Sequence, residues 1–199
     1  MVKIGILDYG VGNLFSLKCA LQREGSTSTI ISKLSCNLDI NGLILPGVGS
    51  FGSALKIVNR LKTKISNLVD NNIPILGICL GMQLFYEKSD EADGKGLSIF
   101  KGNVVRLPNT VKVPHIGWNN IWIIEDCKIL EGIKNGSWMY YVHSYYTKSK
   151  YAVKAKTEYG KIFPSVIEKD NIFGTQFHPE KSGKIGSRII KNFVNLCSK

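Results

Sequence analysis

Hydrophobic and polar positions change rhythm halfway along the chain. In the first half, short apolar runs alternate with stretches of helical spacing. Segments 2–7, 29–32, 42–45 and 73–78 read as strands, and 42–45 and 73–78 have the near-continuous apolar character of strands buried on both faces. Segments 13–23, closed by Gly25, and 53–61 read as helices, with 66–70 extending the second or forming another. Such alternation implies parallel strands joined by right-handed crossovers, with helices on both faces.

From about Leu97 the rhythm changes. Segments 103–107, 116–124, 138–146, 151–158, 165–168 and 173–177 look like strands joined by short turns. A final amphipathic helix is predicted over 185–196, with Ile189, Ile190, Phe193 and Leu196 on one face. No linker, repeat or low-complexity segment interrupts the chain, and its 199 residues predict one domain spanning 1–199. Segment 89–96 is the most polar connection and reads as a mobile loop.

The chemistry centres on Cys79. It stands in Gly77-Ile78-Cys79-Leu80-Gly81, directly after an apolar strand and before a helix expected to start near Leu80. A side chain at so sharp a strand-to-helix turn is pushed out above the sheet edge, and glycines on both sides permit the tight backbone. The thiol would face a helix N-terminus, which favours the thiolate. A lone cysteine is more often a small buried hydrophobe, but a Gly-x-Cys-x-Gly turn reverses that preference. A base for the thiol must titrate near neutrality, which singles out imidazole. His178 and Glu180, in Gln176-Phe177-His178-Pro179-Glu180, are two residues apart. On an extended segment they share a face, so the carboxylate can orient the ring. Read singly, His178 could be a structural histidine and Glu180 a solvated charge.

These two motifs, with Met82-Gln83 after the first, resemble the class I, triad-type glutamine amidotransferases. Within that family the chain is most similar to glutaminase subunits of imidazole glycerol phosphate synthase, over essentially its whole length. Four further segments carry the likeness: Asp8-Tyr9-Gly10-Val11-Gly12-Asn13, Leu45-Pro46-Gly47-Val48-Gly49-Ser50-Phe51, Pro114-His115-Ile116-Gly117-Trp118-Asn119 and Tyr141-Val142-His143-Ser144-Tyr145. The resemblance implies an α/β, flavodoxin-like three-layer fold. Its central sheet would be mixed but largely parallel, with additional antiparallel strands in the second half.

It also implies a Cys79–His178–Glu180 triad that hydrolyses L-glutamine. The oxyanion hole would come from the amide of Leu80 and from Val48 or Gly49. Gln83, Glu91, Ser144 and Tyr145 would bind glutamine. Glu91 suits an ammonium, although Asp90-Glu91 read alone is a charged loop. Asn13, Trp118, Tyr140 and Lys181 would face a (β/α)8-barrel cyclase in a heterodimer. That cyclase would use the ammonia to make imidazole glycerol phosphate and AICAR in histidine biosynthesis. A paralogue feeding ammonia to surface-sugar amidination would share the whole active site. A regulatory protein with a decayed site would have lost Cys79, His178 or Glu180, and none is lost. For a cysteine peptidase on the same fold, the Pro-Gly-Val-Gly strand and Gln83 are out of place.

Composition narrows the picture further. Hydrophobic residues make up 44% of the chain, enough for a sizeable core. No apolar run approaches the roughly 20 residues that span a bilayer, and 1–4 enters a strand with no signal-peptide pattern. The cysteines, Cys19, Cys36, Cys79, Cys127 and Cys197, show no CxxC pairing, so neither a metal site nor a disulfide framework is indicated. A reducing cytoplasm fits. No phosphate loop or dinucleotide fingerprint occurs, and no cofactor is expected. The net charge is +11, but the lysines are scattered and no aromatic-basic RNA motif appears. Nucleic-acid and membrane binding are therefore not expected, whereas an acidic partner protein could meet the basic surface.

Overall fold

The computed structural model describes residues 1–10, 14–32, 39–47 and 49–198. In chain order the first half comprises β1 (Lys3–Leu7), α1 (Phe15–Arg23), β2 (Thr27–Ile31), β3 (Gly42–Leu45), α2 (Phe51–Asp70), β4 (Ile75–Ile78) and the single turn α3 (Leu80–Gln83). The second half comprises β5 (Lys88–Ser89), β6 (Asn103–Arg106), β7 (His115–Asn120), β8 (Trp122–Ile123), β9 (Trp138–His143), β10 (Tyr145–Lys148), β11 (Val153–Glu158), β12 (Ile162–Lys169), β13 (Ile172–Thr175) and α4 (Gly183–Leu196).

The central sheet is eight-stranded, in the order β2-β1-β3-β4-β13-β12-β11-β8. Pairings from β2 through β13 are parallel, and those from β13 to β8 are antiparallel. Strands β3, β4 and β13 are buried at every position, as strands covered on both faces must be. One core packs Leu17 and Leu21 of α1 with Ile189, Ile190 and Phe193 of α4 on one face of the sheet. The other packs Phe51, Leu55 and Val58 of α2 with Leu43, Leu45 and Ile75. Two smaller sheets, β10-β6-β5 and the β7-β9 ribbon, attach to this frame.

Several expected elements merge or divide. Segments 53–61 and 66–70 belong to one helix, because the apolar stripe Phe51, Ala54, Leu55, Val58, Leu61, Ile65 runs on without a breaker. Ser50 caps it, its hydroxyl accepting the Ser53 N–H at 3.4 Å. Segment 116–124 divides around the buried Ile121, where the chain leaves the ribbon and joins the edge of the main sheet. Segment 138–146 divides at Ser144, where it passes from β7 to β6 as partner. No helix among the described residues is long and apolar enough to cross a membrane.

Candidate active site

β4 delivers the chain to Cys79 at φ +47° and ψ −103°. A non-glycine residue in such a region costs about 1–3 kcal/mol and persists only when its surroundings enforce it. Enforcement is visible: the Cys79 N–H donates to Thr175 O at 2.6 Å, tying the turn to β13. A Cβ on Gly77 would lie 2.6 Å from backbone atoms of Gly81 and Met82, and one on Gly81 would strike the Leu45 carbonyl. The following helix is one turn rather than a long one, so it contributes correspondingly little macrodipole. The Leu80 N–H still has no carbonyl of its own helix to bond, since the first amides of a helix never do.

β13 ends at Thr175, and three residues later His178 donates its backbone N–H to Tyr140 O of β9 at 2.9 Å. His178 Nδ1 lies 2.8 Å from Glu180 Oε1. The contact arises differently from the expected extended pair, because Pro179–Lys181 is a 3-10 turn that folds the carboxylate back under the ring. Ser182 braces the turn, its hydroxyl donating to His178 O at 2.6 Å and accepting from the Tyr140 N–H at 3.0 Å.

Cys79 and His178 are 5% and 2% exposed. Burial alone would push the His178 ring down, but the Cys79 sulfur and the Glu180 carboxylate outweigh it and hold the ring at about 10. His178 Nε2 has no aligned hydrogen bond among the described residues. The influence of the sulfur is therefore that of a close neighbour rather than of an aligned hydrogen bond.

A cleft of about 310 Å3 opens over Cys79, and it brings most of the expected residues together. Leu80, Gly49, Gln83, Glu91, Ser144 and Tyr145 line it together with Cys79. Gly49 has φ +100°, which a glycine adopts without strain. Gln83 Nε2 donates to Tyr145 O at 2.8 Å and to Gln176 Oε1 at 3.3 Å. Glu91 is half-buried rather than solvated; burial pushes its carboxyl up, and its Oε2 accepts the Phe51 N–H at the start of α2 at 3.2 Å. Trp118, 53% exposed, meets Tyr140 edge-on at 5.9 Å on the outward face of the ribbon. Lys181 is exposed on the turn below His178. Asn13 and Val48 lie outside the described residues. A larger hollow of about 590 Å3, beside Cys127 and Glu168, is lined by none of Cys79, His178 and Glu180.

Sequence reasoning assigned no role to three further residues. Gln176 is fully buried, and its Nε2 donates to Cys79 Sγ at 3.6 Å. His115 and His143 face each other across the ribbon, Nδ1 to Nε2, at 3.1 Å. All three stand in the motifs that carry the family likeness, but the His115–His143 and Gln176–Cys79 contacts join residues distant in sequence. Burial lowers His143 to about 3 and His115 to about 4.

A pH dependence of stability follows. Below the ordinary histidine value of 6.5 the unfolded chain protonates these two rings while the folded chain does not, so stability is lost as pH falls. His178 acts oppositely: its contribution is full below 6.5 and is lost as pH rises toward about 10. A thermal melting series is expected to peak near neutral pH and to decline already between pH 6.5 and about 5, above the carboxylate range. A flat Tm across that interval would contradict the buried neutral pair.

The model of the family described as glutamine amidotransferase class-I matches residues 6–197. The chain is 51% identical over 198 residues to imidazole glycerol phosphate synthase subunit HisH of Methanocaldococcus jannaschii, covering 97% of this chain and 99% of that one. It is 50% identical to the HisH subunit of Caldanaerobacter subterraneus subsp. tengcongensis, covering 97% and 98%. The chain belongs to the class I glutamine amidotransferases, in their HisH branch. Among solved structures the amidotransferase superposes on the glutaminase domain of Trypanosoma brucei CTPS, solved with bound acivicin. The TM-score is 0.73 at 17% identity, covering 100% and 94% of the two chains, which is a likeness of fold.

Proposed function

We propose that the chain, acting as one domain in the cytoplasm, is a glutaminase working through a Cys79–His178–Glu180 triad. The observation that carries this is the strained Cys79 turn opening into a cleft beside a buried His178–Glu180 pair. Cys79 Sγ attacks the carboxamide carbon of glutamine, and a protonated His178 beside it stabilises the negative sulfur. As the C–N bond breaks, His178 gives its proton to the leaving nitrogen and ammonia departs. Water then hydrolyses the glutamyl thioester, with His178 taking the water's proton. The tetrahedral oxyanion is held by the amides of Leu80 and of Val48 or Gly49. Glu91 takes the ammonium of glutamine, and backbone near Ser144 and Tyr145 its carboxylate. Gln83 supports that wall.

Ammonia released in water would be protonated and lost. We infer that it passes instead to a (β/α)8-barrel cyclase, which makes imidazole glycerol phosphate and AICAR in histidine biosynthesis. Trp118, Tyr140, Lys181 and Asn13 would form the docking surface. The HisH relatives support this acceptor.

The test is glutamate release from glutamine by the purified chain, alone and with the histidine-pathway cyclase of the same cell and its nucleotide ligand. Stimulation of about 100-fold or more is expected, which corresponds to a coupling of about 3 kcal/mol. Turnover indifferent to the cyclase would keep the glutaminase and reassign its acceptor, surface-sugar amidination being the alternative.

A further inference from the structure

The β7–β9 ribbon has two faces. Ile116, Trp118, Tyr140 and Val142 occupy the outward one, and His115 and His143, directly opposed in the register, occupy the inner one. The inner face reaches the glutamine cleft through a hydrogen-bond chain with one consistent assignment. Asn119 Oδ1 accepts the Asn120 N–H at 2.8 Å and Asn119 Nδ2 donates to Glu158 O at 3.0 Å, which fixes the amide's orientation. Nδ2 also faces His115 Nε2 at 3.5 Å, so that nitrogen must accept. His115 therefore carries its proton on Nδ1 and donates to His143 Nε2 at 3.1 Å. His143 in turn carries its proton on Nδ1 and donates to Tyr145 O at 2.9 Å. Tyr145 O is the carbonyl that also holds Gln83, and Gln83 bonds to Gln176, the donor to the Cys79 sulfur. A second proton on either ring would set N–H against N–H in this chain, and burial disfavours the charge as well.

We propose that His143 is a positioning residue for glutamine binding, its tautomer locked by His115 and Asn119 so that Nδ1–H fixes the Tyr145 carbonyl and, with it, Gln83. His143 passes no proton to substrate; it sets the shape of the glutamine wall. The ring of His115 is stacked between Tyr141, at 4.9 Å, and Tyr159, at 3.9 Å, so the lock is rigid. This inference rests on the glutaminase reading of the same cleft.

The test compares His143→Asn, His143→Gln and His143→Leu in the full chain. The side-chain amide of Asn reaches the position of Nδ1, whereas that of Gln reaches the position of Nε2. Two alkylators of Cys79 supply the readouts: a diazoketone analogue of glutamine, which needs the glutamine wall, and iodoacetamide, which does not. Loss of one buried hydrogen bond weakens binding on the order of 10-fold. His143→Gln and His143→Leu are expected to raise the KI of the diazoketone by about that factor, and His143→Asn by less than about 3-fold. Iodoacetamide should label all of them within about 2-fold of the wild type. Equal KI values for the Asn and Gln variants would overturn the proposal, as would an unchanged KI in His143→Gln. The Asn–Gln comparison decides even if the Leu variant does not fold. A wild-type chain that iodoacetamide labels but the diazoketone does not would instead refute the glutaminase reading.

Discussion

Cys79→Ala is expected to reduce glutamate release by about 10,000-fold or more, because removing a nucleophile that acts as a unit with its base forfeits nearly all covalent catalysis. Cys79→Gly should be equally inactive, yet the two variants should differ in stability. Cys79 sits at φ +47° and ψ −103°. Alanine inherits that strain, and glycine, lacking Cβ, relieves it. The glycine variant should therefore be the more stable by about 1 kcal/mol or more, read as a higher denaturation midpoint at unchanged slope. The comparison separates chemistry from backbone: turnover reads the loss of the sulfur, and stability reads the turn that β13 and the packing of Gly81 against β3 enforce. If alanine proved as stable as glycine, the turn would not be the strained one described here.

Most of the frame was legible in the sequence, for physical reasons particular to each element. The runs 42–45 and 73–78 are apolar throughout because β3 and β4 are covered on both faces. The Gly-x-Cys-x-Gly pattern marks the tight turn at Cys79 because Gly77 and Gly81 stand where a Cβ would strike neighbouring backbone. The limits lie where local pattern is silent about partners. Segment 138–146 contains no glycine, proline, asparagine or aspartate, so no strong turn signal reveals that the chain changes sheets at Ser144. Extended spacing pairs Glu180 with the right neighbour through the wrong geometry, because a two-residue separation in an extended segment and in a 3-10 turn can deliver the same contact. His115, His143 and Gln176 were visible as letters in motifs. Their contacts reach 28, 2 and 97 residues along the chain, and only the 2-residue contact lies within a local window.

The crowding around two glycines makes the last prediction the sharpest test of how fold and site interlock. Gly81→Ala drives its Cβ into the carbonyl of Leu45. Neither partner can yield, since the obstacle is the backbone of the fully buried β3 and the helix turn is tied to Cys79 by the Gln83 N–H to Cys79 O bond at 3.1 Å. A loss of about 4 kcal/mol or more is expected, in the range reserved for overpacked cores. The variant should be largely unfolded at ordinary temperature, and circular dichroism with a denaturant titration reads this directly. Gly47→Ala should behave differently. Its Cβ would lie 2.7 Å from His178 Cε1, 2.8 Å from Cys79 Cβ and 2.9 Å from Ile78 O, so the Cys79–His178 pair must move together with the end of β4 that leads into it. Parting a near-attack pair by even 1 Å costs on the order of 100-fold in rate. Gly47→Ala should thus remain folded, with glutamate release down by about that factor and a slowed iodoacetamide reaction at Cys79. A folded and fully active Gly47→Ala chain would mean that the loop after β3 stands farther from the triad than these distances allow.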